Sequence, residues 1–581
     1  MKFIKTLSIV LLVSTLFAAC EYIKPEEFTL LSIDRVYGNM AYLANARVAP
    51  YSYLPSGYNT IGNSWLASAS DEAEEIYPFE SIQNLNSGVW NQYSNPDNAW
   101  SRNYQGIRAA NDFTQMTDTV SWYQYKLSDP GEYTTRVNNT KKWRNEMYFL
   151  RGYFYFELIK RYGGVPLIKT KLNPNADLDA IKKLKRNGFG TCVEYIVSQC
   201  DTAAKYLAVT QAAAYYGNPT KGSALALKAR TLLYAASDLF NKAGNSDTLL
   251  GYTDANWQMR WDRAAKACKA VLDMSPVTYK LHTDYKALFL LGSGTNAEII
   301  FERRVGVQNS FEKANYSVGF NGGNTGTCPS QNLVDAYEMK TDGSTFDWSN
   351  PAHSANPYAN RDPRLALTVV LNNSNFAANG ATRPIELWEG GKDGLPLDRA
   401  SKTGYYLKKY VVENLDLTKN QTTYHQWIAF RLAEVYLNYA EAMNEAYGPD
   451  AKPASLDGKV TYTLSAREAV NLVRARTGVA MPPFPLGMTK EAFRTRLRNE
   501  RKVELAFEDH RYWDVRRWAI GTTAIGGEIK GVKITKVDAT NFTYAPYVIE
   551  QRTFIPKMDL YPIPQEEVVK SNGNIVQNPG W

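Results

Sequence analysis

Apolar residues recur at three- and four-residue spacing in several stretches of the chain, which is the period of an amphipathic helix. Between positions 143 and 162, Phe149, Tyr153 and Phe156 form such a stripe, and Gly163-Gly164-Val165-Pro166 ends it. The same period predicts five further helices, at residues 222–240, 262–274, 427–445, 466–477 and 490–508. The pattern therefore predicts a mainly α-helical protein.

Two of these predicted helices share a run of leucine, tyrosine and alanine. The runs are Leu233-Tyr234-Ala235-Ala236 and Leu437-Asn438-Tyr439-Ala440. Alanine at such positions lets a neighbouring helix approach closely, as in the helix pairs of tetratricopeptide repeats. The chain lacks the fixed period of about 34 residues that a continuous repeat array shows. We therefore expect tetratricopeptide-like helix pairs separated by long insertions.

Those insertions are two stretches with little periodicity, at residues 49–100 and 305–406. Both are rich in Asn, Gly, Ser, Pro and aromatic residues, a composition that predicts loops. Loops of this length in a compact protein are usually functional or disordered, and the aromatic content argues against disorder. We expect ligand contacts in these two regions.

The first twenty residues have the features of an export signal. Lys2 and Lys5 precede an apolar run at positions 7–19 that leads directly into Cys20. This pattern predicts a signal peptide at residues 1–19, cleaved before a cysteine that carries lipid. Phe17 stands where leucine is usual, and an ordinary signal peptide with an incidental cysteine is the alternative. The run is shorter than the roughly 20 residues that span a bilayer, so membrane contact would come through the lipid.

Net charge and aromatic content indicate which classes of ligand or partner to expect for the protein. The 581 residues carry a net charge of +8 that is spread along the chain without a basic block, so nucleic acid is not expected as a partner. The 39 tyrosines and 13 tryptophans exceed what a helical core alone needs. We expect some of them to face a ligand.

The cysteines that follow Cys20 form no dense disulfide framework. Cys192 and Cys200 lie in a stretch with helical character, where their spacing puts the two Cα atoms about 12 Å apart. A disulfide needs less than about 7 Å. A pairing such as Cys192 with Cys268 stays open, and packing is expected to supply the stability.

A series of motifs occurs along nearly the full length of the chain, and the most specific stretch runs from Arg498 to Glu508 and continues from His510 to Trp518. The other motifs, in chain order, are Trp100-(x)3-Tyr104-(x)2-Ile107 before Asn111, Phe149-Leu150-Arg151, Tyr162-Gly163-Gly164-Val165-Pro166, Lys221-Gly222-(x)4-Leu227-Lys228-Ala229-Arg230, Leu333-Val334-Asp335-Ala336-Tyr337, Arg361-Asp362-Pro363-Arg364, Thr403-Gly404-Tyr405, Arg431-Leu432-Ala433-Glu434, Pro562-Ile563-Pro564 and Gln577-Asn578-Pro579-Gly580. Through the shared order of these motifs, the chain resembles the SusD/RagB family of surface glycan-binding lipoproteins.

This resemblance implies a SusD-like fold with an N-terminal region at residues 20–220 and a C-terminal region at residues 221–581, the latter including a loop-rich ligand lobe at 305–406. It also implies a lipid-anchored protein at the outer surface of the outer membrane that binds oligosaccharide, with peptide as the less expected ligand. Such a protein sits as a lid over a SusC-type TonB-dependent transporter and delivers its ligand to it. It does no chemistry and needs no cofactor.

Two acidic segments could nevertheless supply catalytic groups. Glu508-Asp509-His510 pairs carboxylates with an imidazole, as acid/base machinery does, but the arginines around it favour a structural ion-pair network. Asp71-Glu72-Ala73-Glu74-Glu75 could hold a glycosidase pair. Adjacent positions are poorly placed to flank a bond, however, so a solvated acidic segment is favoured. The histidines are scattered, no His or Cys pair has zinc-like spacing, and no metal is expected.

Glycan binding is the function that the two loop regions support, because sugar rings stack on aromatic side chains while their hydroxyls bond to Asn, Asp or Arg. The candidate ligand residues are Asp71, Trp90, Tyr93, Tyr316, Phe320, Asn324 and Trp348. For each aromatic residue, packing in a core is the competing interpretation. The rival functions are a surface-anchored hydrolase that uses a Glu or Asp pair and a helical scaffold that binds only protein.

Overall fold

The structure is a computed structural model that describes residues 38–173, 175–242 and 244–581. Cys20 and the predicted signal peptide lie outside these residues. The helices are α1 Met40–Ala46, α2 Gln83–Ser87, α3 Trp100–Asp118, α4 Tyr125–Ser128, α5 Pro130–Tyr162, α6 Leu178–Lys182, α7 Phe189–Tyr206, α8 Lys221–Ala236, α9 Trp257–Leu272, α10 Ser310–Asn315, α11 Gln331–Val334, α12 Pro351–Ala355, α13 Arg364–Thr368, α14 Leu432–Tyr447, α15 Ala466–Arg474, α16 Lys490–Glu504, α17 Arg511–Arg517, α18 Gly521–Ala524 and α19 Gln565–Lys570.

The strands are short and form only two-stranded antiparallel sheets within the described residues. They are β1 Ala73–Glu75, β2 Ile299–Gln308, β3 Thr327–Pro329, β4 Val369–Val370, β5 Asn375–Ala378, β6 Ala381–Pro384, β7 Tyr406–Leu407, β8 Thr423–Arg431, β9 Glu528–Lys536 and β10 Phe542–Gln551. The pairs are β1 with β3, β2 with β8, β4 with β7, β5 with β6 and β9 with β10. The expected mainly α-helical fold is confirmed.

The long helices pack in series, α3 on α5, α5 on α7, α7 on α8, α8 on α9 and α9 on α14. Small residues allow these approaches: a Cβ at Gly106 of α3 would lie 2.5 Å from the ring of Phe154 on α5. Helix α8 begins with a capping box, in which the Thr220 hydroxyl accepts from the Ser223 backbone N–H and the Ser223 hydroxyl accepts in return. Helix pairs with long insertions between them are consistent with the expected tetratricopeptide-like arrangement.

The helix predicted at residues 427–445 is wrong at its N-terminal end. Residues up to Arg431 belong to strand β8, which pairs with β2, and α14 begins at Leu432. Trp427, Ile428 and Phe430 are buried, and a short apolar run has no periodicity that separates a buried strand from a helix. The aromatic and β-branched side chains in this run favour the strand.

Other helix ends also differ from the prediction. Helix α5 begins at Pro130, capped by the Asp129 side chain, which accepts from the Glu132 backbone N–H. Its first turns are largely exposed, so they carry no apolar stripe that could reveal them. Helix α16 ends at Glu504, and the predicted last turn to Glu508 is not helical.

The hydrophobic interior has two parts, one among the helices and one beneath the loop regions. The second part contains fully buried aromatic side chains, among them Trp65, Tyr316, Tyr337 and Tyr405. These aromatic side chains, which include the ligand candidate Tyr316, therefore pack the loops into a defined structure. Cys192, Cys200, Cys268 and Cys328 are buried free thiols, so the open Cys192 to Cys268 pairing is not formed.

Candidate functional site

The two loop regions of the sequence meet at the small sheet formed by β1 and β3. Ala73 lies opposite Pro329 and Glu75 opposite Thr327, and the Ile76 backbone N–H donates to the Gly326 carbonyl at 3.3 Å. The chain leaves β1 into the segment that carries Tyr77 and Phe79, and it enters β3 from the segment that carries Asn324. Tertiary pairing thus brings together segments about 250 residues apart in sequence.

Four side chains converge at this edge: Tyr77, Phe79, Asn324 and Arg399, which we call the Tyr77 site. The Tyr77 hydroxyl donates to the Asn324 backbone carbonyl at 2.8 Å, and the Arg399 guanidinium donates to the Asn324 side-chain oxygen at 3.0 Å. The rings of Tyr77 and Phe79 lie 5.4 Å apart at 43°. Phe79 is 78% exposed, so a large apolar ring stands open beside a fixed amide and a guanidinium.

Charged groups at the Tyr77 site are largely solvated. Arg399 lies 3.4 Å from Asp398, whose side chain is almost fully exposed. Burial raises the pKa of Tyr77 above its usual value, with the neighbouring Arg399 acting in the opposite direction, so the phenol stays protonated and can act as a donor. The site therefore offers one apolar face together with donors and acceptors that can bond to hydroxyl groups.

The acidic segment at Asp71–Glu75 lies beneath this site and is buried, which corrects the expected solvated segment. Glu74 is paired with the Arg552 guanidinium. Glu75 has no cationic partner among the described residues, and its carboxylate accepts from the Thr327 hydroxyl at 3.2 Å and from the Tyr77 backbone N–H at 3.4 Å. Burial raises the pKa of Glu75 to about 7.

Asp71 serves as an ion-pair partner in the interior, and no part of its carboxylate stands open as a hydroxyl acceptor. It accepts from Arg511 at 2.7 Å and from Lys502 at 3.0 Å, and it is 8% exposed. Burial opposes its ionisation, but Arg511 and Lys502 outweigh burial and hold the pKa well below its usual range. This pairing ties the segment before β1 to α16 and α17.

Glu508, in the segment Glu508-Asp509-His510, belongs to a buried ion-pair network, as the sequence favoured, whereas Asp509 and His510 form no ion pair within the described residues. Glu508 accepts from Arg431 at 2.6 Å and from Lys409 at 2.6 Å. Burial and surrounding cations lower the pKa of His510 well below its usual value, which leaves the imidazole neutral. With both oxygens of Glu508 engaged, its carboxylate is not available for proton transfer to a substrate.

The other candidate ligand residues in the first loop region lie apart from the Tyr77 site. Trp90 is 3% exposed and packs against Tyr561 at 5.1 Å and Trp581 at 4.6 Å, so neither face of its indole is open. Tyr93 is 77% exposed in a turn, where its backbone N–H bonds to the Asn91 side chain. No contact joins Tyr93 to the Tyr77 site within the described residues.

Of the candidate ligand residues selected in the second loop region, only Asn324 lies at the Tyr77 site. Tyr316 is buried and donates from its hydroxyl to the Val412 carbonyl at 2.6 Å. Phe320 is buried with the Arg383 guanidinium 4.1 Å above its ring. Both therefore support the loop that presents Asn324. Trp348 is half-buried and donates to Asp335 at 3.0 Å in a separate surface cluster.

Sequence reasoning did not select Tyr77, Phe79 or Arg399. Tyr77 and Phe79 follow the acidic segment directly, in a loop already marked by its aromatic content, and this nearness was the available signal. For Arg399 the only signal was its place in the second loop region, because the fold is what brings it against Asn324. Among the residues that the structure describes, no group of His, Cys, Asp or Glu could hold a metal ion, and no helix is long and apolar enough to cross a membrane.

The fold and the site define a mainly α-helical protein that presents a small aromatic and polar site from two paired loops. A profile of the SusD family matches residues 295–581, and a profile described as "Starch-binding associating with outer membrane" matches residues 33–233. The chain belongs to the SusD/RagB family.

Among individual relatives, SusD-like protein P2 of Formosa agariphila is 24% identical over 462 residues, which cover 78% of this chain and 77% of the relative. A SusD-like carbohydrate binding protein of Bacteroides fragilis matches with a TM-score of 0.72 and 24% identity, covering 92% of this chain and 99% of its own. A laminarin binding SusD-like protein matches with a TM-score of 0.61 and 20% identity, covering 94% and 100%. These solved structures show that the fold of this chain is SusD-like.

Proposed function

We propose that the protein is a non-enzymatic lipoprotein of the cell surface, which binds oligosaccharide at the Tyr77 site and delivers it to a SusC-type TonB-dependent transporter. The observation that carries the proposal is the exposed ring of Phe79 beside the bonded pair of Asn324 and Arg399. A sugar stacks its apolar face on such a ring and turns its hydroxyls toward the polar groups. Peptide is the less favoured ligand.

The family context supports this class of ligand and this location. One family profile names starch and the outer membrane, and solved relatives are described as binding carbohydrate or laminarin. The hydrolase alternative is disfavoured because Glu74 and Glu508 are engaged by Arg552 and Arg431. Delivery to a transporter and the lid arrangement are part of the same proposal, which the family resemblance supports.

The first test is isothermal titration of the purified protein with maltoheptaose, laminarin and a panel of plant and algal oligosaccharides. We expect Phe79→Ala to weaken binding of the recognised glycan about tenfold, because an aromatic contact and its buried area are lost. Arg399→Ala should also weaken it about tenfold, through loss of a charge-assisted hydrogen bond. The two effects need not add, since these side chains are neighbours.

Tyr93→Ala is the matched control, because Tyr93 is as exposed as Phe79 but lies outside the Tyr77 site. Its glycan affinity should equal that of the parent protein. If Tyr93→Ala abolishes glycan binding while Phe79→Ala does not, the glycan binds elsewhere than at the Tyr77 site. If no glycan in the panel binds, carbohydrate recognition is refuted, and glycan turnover by the parent protein would favour the hydrolase.

Lipid attachment at Cys20, with anchoring to the outer membrane, is a separate part of the proposal. Cys20→Ala should abolish incorporation of labelled palmitate and release the protein from the outer-membrane fraction, because one thioether carries the anchor. Cys268→Ala, which alters a buried free thiol, should keep both the label and the location. Labelling that persists in the Cys20→Ala protein would exclude this residue as the attachment point.

A further inference from the structure

A cleft of about 300 Å³ lies on the helical part of the molecule and is separate from the Tyr77 site. One wall is a face of α3, where Tyr104, Ile107 and Arg108 follow one another at helical spacing. The opposite wall is an extended segment whose alternate residues Ile168 and Leu172 point to the same side. A helix face and an extended segment thus form the two opposite walls of one groove.

The interior of this cleft is mainly apolar. Ile181 and Leu184 close one side and Ile575 closes another. The aliphatic residues of the extended wall and of the α6 side are only half-buried, so they leave apolar surface open to solvent. A cleft of this size, with apolar walls and a few polar groups at its rim, is the usual form of a small-molecule site.

Arg108 supplies a free positive charge at the rim. Within the described residues it has no acidic partner and its side chain is exposed. Two acidic groups close to it in sequence or in the cleft lining have other partners: Asp112, one turn along α3, pairs with Lys171 at 2.8 Å, and Glu567 of the cleft lining pairs with Lys570 at 2.9 Å. An anionic group entering the cleft would therefore meet one uncompensated cation.

The backbone of the extended wall argues against a peptide as the occupant. The Pro166 carbonyl accepts from the Tyr104 hydroxyl at 2.8 Å, and the Ile168 carbonyl accepts from the Asn111 side chain at 3.0 Å. The Ile168 N–H donates to the Tyr155 hydroxyl at 2.6 Å. With these groups engaged, a peptide strand could not pair with the wall at Pro166 and Ile168, and its own backbone groups there would be left unpaired between apolar surfaces.

We infer that this cleft binds an acyl carboxylate, with the aliphatic chain between the apolar walls and the carboxylate on the Arg108 guanidinium. A hydrocarbon chain needs no hydrogen bonds from the walls, and it gains by covering the half-buried Ile168, Leu172 and Ile181. A single cation at the rim matches a single anionic head group. This site is independent of glycan recognition at Phe79 and Arg399.

The test is a titration of the purified protein with decanoate, kept below its micelle concentration, and with decanol as the neutral match of equal chain length. We expect decanoate to bind at one site and decanol to bind about tenfold more weakly. Arg108→Ala should weaken decanoate binding by the same factor and leave decanol unaffected, whereas Arg108→Lys should restore most of the decanoate affinity.

A second variant tests the apolar wall. Leu172→Asp places a carboxylate in the half-exposed extended segment and should abolish decanoate binding, while Lys126→Ala, which removes an exposed cation on α4, should leave it unchanged. Absence of decanoate binding, or equal affinity for decanoate and decanol, would overturn the inference. Tighter binding of the peptide N-acetyl-Leu-Leu-Asp than of decanoate would assign the cleft to a peptide instead.

Discussion

Glu504→Ala should lower the free energy of unfolding by about 3–5 kcal/mol, because it leaves buried arginines without their shared carboxylate. One oxygen of Glu504 accepts from Arg431 at 2.8 Å and from Arg476 at 2.9 Å, and the other accepts from Arg364 at 2.8 Å. The Glu504 side chain is fully buried. Burial disfavours its charge, but the three guanidinium groups outweigh that cost and hold the pKa of Glu504 far below its usual value.

Urea denaturation at neutral pH, followed by circular dichroism, measures the change in stability. Glu566→Ala is the matched control, because Glu566 pairs with Lys570 at the surface and such pairs contribute at most about 1 kcal/mol. Equal midpoints for the two variants would contradict a structural role for the network.

Glu75→Gln should stabilise the protein above pH 7 and have little effect below pH 4.5. The pKa of Glu75 rises from 4.5 in the unfolded chain to about 7 in the folded protein because of burial. As the pH rises between these values, the unfolded chain releases this proton while the folded protein retains it, so stability falls. The loss is complete above pH 7, and at about 1.4 kcal/mol for each pKa unit it reaches at most about 3–4 kcal/mol.

Glutamine stays neutral at every pH and keeps an oxygen to accept from the Thr327 hydroxyl, so the variant avoids this loss. Unfolding curves at pH 4.5, 6 and 8 for parent and variant give the comparison. Glu80→Gln is the local control, because Glu80 lies in the same loop and bonds to Asn63 at the surface. A constant difference between parent and Glu75→Gln across the three pH values would show that Glu75 is already ionised in the folded protein.

The ionisation of Glu75 also concerns the Tyr77 site. Glu75 ends β1, and its carboxylate accepts from the backbone N–H of Tyr77. Ionisation of this buried group above pH 7 places a charge directly beneath the edge that presents Tyr77 and Phe79. Glycan affinity measured across the same pH range therefore reports whether the edge keeps its geometry.

The candidate site was only partly predictable from sequence, and the residues show why. Asn324 was selected because it lies in an aromatic and polar loop, and the structure places it at the Tyr77 site. Trp90 lies in an equally suitable loop, yet it packs against Trp581 at the far end of the chain. An aromatic residue that contacts a ligand and one that packs in the core can lie in loops of the same composition, with similar neighbouring residues. The two kinds of aromatic side chain differ in their exposure to solvent, and contacts with segments distant in sequence determine that exposure.

Periodicity in the sequence predicts six of the helices, since a stripe such as Phe149, Tyr153 and Phe156 can be buried on one side only if the segment is helical. Periodicity does not reveal α3, and the family is inferred from motifs in shared order. Residues 427–431 form a strand because the tertiary structure offers them β2 as a pairing partner. Tertiary contacts also create the site, because Tyr77 and Asn324 become neighbours only when β1 pairs with β3. Periodicity is a local property, whereas the exposure and adjacency that make a binding site depend on contacts between distant segments.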